Sequence, residues 1–166
     1  MQVHSKAEPA AHFDRIVAKE MPGGRGLPAW DALLRAHATL LRQLESDLES
    51  KTGLALADFD VLAQLAIAGG SLRMTDLADR ALISRSGMTR RVTRLVHEGL
   101  VRRAHADADA RGVVVQLTDS GLKRLTVAGP VHMRGVSELF VAKLDDQELA
   151  VLESALAKVT LDCTFG

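Results

Sequence analysis

The most constraining feature of this sequence is a short helical segment that is followed at once by two strand-like runs. Apolar residues recur at helical spacing between Ser84, a candidate N-cap, and Gly99, which supplies an end signal. The stretches 100–105 and 113–117 are strand-like, and the turn-forming stretch 106–112 separates them. We therefore predict a helix that leads directly into a β-hairpin with an exposed tip.

Periodic apolar residues predict further helices on both sides of this unit. They are expected over residues 10–21, 29–50, 56–68, 75–80, 118–143 and from 145 onward. The expected N-caps of the last three are Thr75, Thr118 and Asp145. We expect a Pro/Gly-rich linker over 22–28, a very short strand from Leu72, and a bend or break near Gly129-Pro130.

The charge of the chain is neutral overall but uneven along the sequence. The 166 residues include 21 basic and 21 acidic side chains. Between positions 80 and 111, however, eight arginines stand against three acidic residues. Such a local excess is the electrostatic footprint of a polyanionic partner, and arginine binds phosphate and the guanine edge bidentately. We therefore expect double-stranded DNA as a partner.

The predicted helix that follows Ser84 has an apolar face and a polar face. Stepping about 100° per residue places Met88, Val92, Leu95 and Val96 on the inner side. The other faces and the hairpin tip carry the candidates for DNA contact, which are Ser84, Arg85, Ser86, Thr89, Arg90, Arg91, Thr93, Arg94 and Arg111. A solvated helix face explains the arginines when the helix is taken alone, but the adjacent hairpin favours DNA.

The order of the elements indicates a mainly α-helical chain with a small β-hairpin wing (α+β), a winged helix-turn-helix between dimerisation helices. The apolar stripes of the outer helices need a partner, and a second copy of the chain supplies one, which predicts a homodimer. The expected organisation is an N-terminal extension over 1–28, a dimerisation helix over 29–54, a DNA-binding domain over 55–118 and C-terminal dimerisation helices over 119–166.

Four stretches of this sequence resemble the MarR family of transcriptional regulators. They are Thr75–Ala78, Ser84–Leu95, Gly99–Val101 and, most specifically, Asp109–Gly121 (DARGVVVQLTDSG). The resemblance covers roughly residues 29 to 160. It implies an obligate dimer whose N- and C-terminal helices interlock and whose two winged domains read a pseudopalindrome. It also implies that Arg111 enters the minor groove and that Asp109 braces the wing by pairing with an arginine.

The resemblance further implies a small phenolic or anionic effector in a cleft between the dimer helices and the winged domain. The aromatic candidates are Trp30, His37 and Phe59. A core or interface position is the alternative for each of them. The urate-responsive branch is matched here by Asp60, Arg91 and Arg102, but the tryptophan of its extra helix has no counterpart. Surface ion pairs explain these three charged residues as well.

The chain departs from the family pattern in three places. Ala55 stands where a capping Ser, Thr or Asn is common, at an expected cost of about 1 kcal/mol that Asp58 partly offsets. Residues 1–28 resemble branches in which an extra N-terminal helix packs on the dimer interface. Tyrosine is absent and the first long helix has no cysteine, unlike the peroxide-sensing branch.

Other classes of function find little support in the sequence. The histidines are scattered, and no catalytic motif, phosphate-binding loop or dinucleotide fingerprint is present, so we expect neither an enzyme nor a bound metal or cofactor. No apolar run is long enough to span a membrane, and the lone cysteine, Cys163, favours the cytoplasm. The predicted function is a sequence-specific, ligand-responsive repressor. The alternative is a winged-helix module that coats DNA or binds a protein.

Overall fold

The computed structural model describes residues 7–106 and 109–161 of the chain. The chain divides into two compact units, residues 1–41 and residues 42–166. Across the described ranges, every helix is too short or too polar to cross a membrane.

The first unit is helical. Helix α1 spans Ala7–Glu20, a 3₁₀ turn covers Pro22–Gly24, and α2 spans Leu27–Thr52, so that it continues into the second unit. The expected linker over 22–28 is therefore wrong at its C-terminal end. Pro28 fits into the first turn of α2, because a backbone N–H at that place has no partner within the helix in any case.

The second unit contains the predicted winged helix-turn-helix. Its elements after α2 are α3 (Leu56–Ile67), β1 (Ser71–Arg73), α4 (Met74–Arg80), α5 (Arg85–His97), β2 (Val101–Ala106), β3 (Asp109–Leu117), α6 (Asp119–Leu139) and α7 (Asp146–Thr160). The strands form an antiparallel sheet in the order β1-β3-β2. Leu72 lies in β1 opposite Val115, as the predicted short strand requires. The mainly α fold with a hairpin wing is thereby confirmed.

Side-chain caps decide where several helices begin. The structure confirms three predicted N-caps, which are Ser84, Thr118 and Asp145. Thr75 does not cap α4, because that helix begins at Met74 and has Arg73 at its N-cap position. Ala55 precedes α3 without any side-chain cap, as expected.

Helix α6 continues through its internal proline. Pro130 lies inside the helix, so α6 is not broken at Gly129-Pro130. It ends at Leu139 rather than at Lys143, because Phe140 leaves helical geometry (φ −123°, ψ −64°). The residues Val141–Lys143 then form a 3₁₀ turn.

The hydrophobic core of the second unit joins its helices to the sheet. Its largest fully buried side chains are Leu48, Val61, Leu62, Leu65, Leu77, Met88, Val92, Leu95, Val101 and Val115. Helix α6 is tied to the end of α2 by Arg124, which donates to the carbonyl oxygens of Thr52 (2.5 Å) and Gly53 (3.0 Å). A cation at this place satisfies carbonyl groups that the helix leaves unpaired.

The junction between the hairpin and α6 has no spare room. Thr118 alone separates β3 from α6, and its hydroxyl lies 2.7 Å from the carbonyl oxygen of Gly99 and 2.9 Å from that of Leu100. A Cβ atom on Gly121 would lie 2.1 Å from the Leu100 carbonyl oxygen. Position 121 therefore requires glycine because two backbone segments approach closely there.

We expect Gly121→Ala to destabilise the fold, because overpacking costs about 1–3 kcal/mol and a backbone neighbour yields less than a side chain. Gly135→Ala in the same helix is the matched control. Its Cβ would meet only the tip of the Leu44 side chain, with Cδ2 at 2.7 Å. Urea unfolding followed by circular dichroism gives both free energies of unfolding. Equal losses in the two variants would contradict this account of Gly121.

Candidate nucleic-acid interface

Two serines that were predicted to contact DNA lie at the N-terminus of α5, and one of them caps the helix. The Ser84 hydroxyl accepts a hydrogen bond from the backbone N–H of Gly87 at 3.2 Å. Its oxygen also lies 3.4 Å from the Ser86 hydroxyl oxygen. The backbone N–H groups and the dipole of this helix end favour a bound anion, which suits a phosphate of the duplex.

Helix α5 buries one face and exposes the other. Met88, Val92 and Leu95 are fully buried, as their spacing predicted. Val96 was expected on the same side but is 37% exposed, because it lies near the end of the helix and at the edge of the core.

Two of the predicted DNA-binding arginines are bound to a carboxylate inside the domain. Asp58 is 4% exposed and lies in the first turn of α3. Arg91 Nη1 donates to Asp58 Oδ1 at 2.8 Å, and Arg94 Nη2 donates to both carboxylate oxygens of Asp58. We call these three residues the Asp58 cluster.

The surroundings of the Asp58 cluster fix the protonation of Arg94 and leave one nitrogen of Arg91 unused. The hydrogen bond from Arg94 to Asp58 raises the pKa of the Arg94 guanidinium, and Glu98, 3.8 Å from Arg94 Nε, acts in the same direction. Arg91 Nε is buried and has no hydrogen-bond partner within the described ranges. The cluster therefore joins α5 to α3 by charge-assisted hydrogen bonds in addition to the apolar core.

The threonines of α5 are also engaged within the domain. Thr89 Oγ1 donates to the carbonyl oxygen of Arg85 at 2.9 Å, and Thr93 Oγ1 donates to that of Thr89 at 2.8 Å. From β2, Arg103 Nη2 reaches Thr93 Oγ1 at 2.6 Å. The first wing strand is thus bonded directly to one flank of α5.

Arg85 and Arg90 are the arginines of α5 that have no bonded partner among the residues that the structure describes. Both side chains are exposed. We call this pair the outer arginines. Arg90 lines a surface groove of about 250 Å³ together with Ile83 and Gly87 and with the two arginines of the Asp58 cluster. This groove and the outer arginines are accessible to a polyanion.

The wing residues Asp109 and Arg111 lie in β3. Their side chains lie outside the described part of the structure, so their roles stay predictions. Further along the wing, Arg102 Nε donates to Gln116 Oε1 at 2.8 Å, a bond across the two strands of the hairpin.

The candidates for effector binding divide between the two units. Trp30 and His37 lie in the first unit on α2 and are exposed. Trp30 contributes to an apolar groove of about 440 Å³ that is otherwise lined by α1 residues, Met21 and Leu27. In the second unit, Phe59 is buried and its ring centroid lies 4.5 Å from that of His132.

Asp60 and His132 form a coupled pair on α3 and α6. Burial raises the pKa of Asp60, opposed by the charges of His132 and Arg91. Burial lowers the pKa of His132, opposed by the charge of Asp60. His132 Nδ1 is buried and unbonded within residues 7–106 and 109–161. In those same ranges, no group of three or more His, Cys, Asp or Glu residues is arranged to hold a metal ion.

Sequence reasoning missed three residues of this region, which are Asp58 as a buried anchor, Arg103 and His132. Asp58 lies 33 and 36 positions from its partners, a separation that helical periodicity does not relate. Arg103 faces α5 because of the β2–β3 register, in which it pairs with Val115. An acidic residue in the first turn of a helix that has no side-chain cap is the sequence signal that points to Asp58.

Comparisons with known proteins identify the family. The MarR family model matches residues 52–112. AbsC, a MarR family transcriptional regulator from Streptomyces coelicolor, is 32% identical and has a TM-score of 0.77, and the match covers 81% of this chain and 90% of AbsC. This chain belongs to the MarR family.

Two further proteins similar to this chain agree with this assignment. Sco3205, a MarR family regulator from Streptomyces coelicolor whose structure is in complex with DNA, is 30% identical with a TM-score of 0.77, covering 81% of this chain and 84% of Sco3205. The HTH-type transcriptional regulator PecS of Dickeya dadantii is 28% identical over 112 residues, which are 66% of this chain and 67% of PecS. The chain is therefore a MarR-family DNA-binding transcriptional regulator and not an enzyme.

The lowered pKa of His132 predicts that acid destabilises this MarR-family domain. A folded-state pKa below the unfolded value of about 6.5 favours folding above that value, and this contribution is lost as the pH falls through the folded pKa. His132→Gln is expected to flatten the decline in unfolding free energy between pH 7 and pH 5, measured by denaturant titration at each pH.

Asp60→Asn should steepen the same decline. It removes a carboxylate that stabilises the imidazolium, and it removes a carboxyl group whose raised pKa makes protonation favour the folded state as the pH falls. Parallel profiles for the wild type and both variants would refute this assignment of the acid sensitivity.

Proposed function

We propose that this regulator binds a pseudopalindromic operator as a homodimer and represses transcription until a small effector weakens that binding. The observation that carries the proposal is the pair of outer arginines, Arg85 and Arg90, exposed on α5 beside the hairpin wing. Exposed guanidinium groups that have no partner among the described residues suit the major groove, where arginine recognises guanine bidentately.

Each winged domain offers two probes to the duplex. Helix α5 enters the major groove, with Arg90 and Ser86 toward base edges and Arg85 near a phosphate at the helix N-terminus. The hairpin lies against the flanking minor groove, where Arg111 favours narrow, A·T-rich segments. Sco3205, whose structure is in complex with DNA, supports DNA as the partner in this proposal.

The proposed dimer uses apolar side chains that the monomer leaves exposed on its outer helices. These include Leu33, Leu34 and Leu41 on α2 and Val151 and Val159 on α7. Large exposed apolar groups gathered on terminal helices are typical of an interface. A two-fold dimer presents two α5 helices about 34 Å apart, one turn of the duplex, and so requires a pseudopalindromic site.

The proposed effector is a small aromatic or anionic molecule. Around Phe59, Asp60 and His132, two tilted aromatic rings lie in contact beside a carboxylate and an imidazole with shifted pKa values, which suits an aromatic ligand with polar substituents. Trp30 and His37, on α2, stay separate candidates for effector contact. An effector shifts the equilibrium between conformations that bind DNA and conformations that do not only by its differential affinity for the two.

With chromosomal DNA as its target, the regulator would act in the cytoplasm.

The proposal is tested with the DNA immediately upstream of the gene and an unrelated duplex of equal length, across a salt titration. We expect the upstream DNA to bind at least about 10³-fold more tightly at physiological salt, with protection in half-sites about 10 bp apart. Equal affinities, equal salt slopes and featureless protection would instead support a module that coats DNA without an operator.

We expect Arg90→Ala to weaken operator binding by about 1–3 kcal/mol, while binding to the unrelated duplex changes much less, because a base contact is lost. Arg134→Ala, which removes an exposed arginine from α6, is the matched control and should keep wild-type affinity. Fluorescence anisotropy with both duplexes measures the effect. Unchanged operator affinity in Arg90→Ala would exclude it from the interface.

A further inference from the structure

The arginines of α5 fall into two groups by what surrounds them. The outer arginines, Arg85 and Arg90, are exposed and unbonded within the described ranges. Arg91 and Arg94 belong to the Asp58 cluster and share one carboxylate whose side chain is 6% exposed. A polyanion that approaches α5 therefore meets two available guanidiniums and two that already have an anionic partner.

The Arg94 guanidinium is bound to Asp58 although the side chain lies at the surface. Its side chain is 51% exposed, so solvent and DNA can reach it. Its Nη2 is nevertheless directed to both oxygens of Asp58, and Glu98 lies 3.8 Å from its Nε. Contact with a phosphate would require the guanidinium to leave a carboxylate that is buried and would then lose a hydrogen-bond donor.

The Asp58 carboxylate is well placed to hold both arginines. Its position in the first turn of α3 sets it near the positive end of a helix dipole, and Ala55 offers no competing cap. Arg91 and Arg94 lie three positions apart, on one side of α5, so a single carboxylate between the helices reaches both. Because its side chain is buried, water does not screen this attraction as it does for surface pairs.

Withholding an arginine lowers affinity for DNA of any sequence, because phosphate contacts strengthen binding to every sequence. Each phosphate neutralised on duplex DNA steepens the slope of log K against log salt by about 0.9. Two additional contacts would therefore favour unrelated DNA as readily as an operator. With fewer such contacts, a regulator binds unrelated DNA more weakly and with a shallower salt dependence.

We propose that Asp58 limits the sequence-independent DNA affinity of this protein, because it holds Arg91 and Arg94 against α3 and so keeps two guanidiniums from phosphate contacts. This inference rests on the proposed function, in that α5 is the helix that meets DNA. The withheld charges themselves are measurable on any duplex.

The test compares Asp58→Asn with Glu98→Gln, which removes the same charge from an exposed carboxylate near the same guanidinium. On an unrelated duplex we expect Asp58→Asn to steepen the salt slope by about 0.9 to 1.8, one to two phosphates, and Glu98→Gln to change it by less than half a phosphate. Affinity for the operator and for the unrelated duplex should both rise by a similar factor, because these contacts read no sequence. Equal slopes in the two variants would overturn the proposal.

The double variant Asp58→Asn/Arg94→Gln separates released charge from altered helix position. If Arg94 is released by the first substitution, its removal returns the salt slope most of the way to the wild-type value. A slope that stays at the value of Asp58→Asn would show that Arg94 makes no new contact and would count against the proposal. Thermal melting of each variant establishes that it is folded under the conditions of the binding assay.

Arg94→Gln in the wild-type background supplies the test if Asp58→Asn does not fold. The proposal expects its salt slope to fall by less than half the drop caused by Arg85→Gln, which removes the arginine placed near a phosphate, and an equal drop would overturn it. Failure of the proposed function can be told apart from failure of the Asp58 proposal. In that case the wild-type protein binds the upstream and the unrelated duplex with equal affinity. The slope differences on the unrelated duplex would still report on Asp58.

Discussion

The burial of three α5 side chains in the domain core sets the direction in which this helix presents its outer face. These side chains are Met88, Val92 and Leu95. Full burial of such side chains contributes about 1.5–3 kcal/mol each. The Asp58 cluster adds a polar constraint on one flank of the same helix, and Arg103 adds another from the wing. The exposure of the outer arginines follows from these contacts, because the inner face and both flanks of α5 are already occupied.

Local patterns accounted for most of the fold. Side-chain caps at Ser84, Thr118 and Asp145 act within one helical turn, so the sequence alone was enough to find them. The errors arose where a rule has an exception that depends on position. Pro28 was expected in a linker, but it lies in the first turn of α2, and α6 was expected to bend or break near Pro130, but it continues without a break.

The candidate interface was less predictable than the fold, because periodicity places Cα atoms and not the ends of long side chains. Arg94 was expected on the DNA-facing side, and half of its side chain is indeed exposed. Its guanidinium nevertheless turns to Asp58, a residue on another helix. The pairing of Phe59 with His132 likewise depends on the approach of α3 to α6, which no local pattern in the sequence encodes.

The close approach of Gly121 to Leu100 has a mechanical consequence. With Thr118 as the single connecting residue, bonded to both Gly99 and Leu100, the wing and the first turn of α6 form a stiff elbow instead of a hinge. A rotation of α6 is therefore expected to move the hairpin with it. The orientation of the wing is thus coupled to that of α6, with no flexible linker between them to absorb the motion.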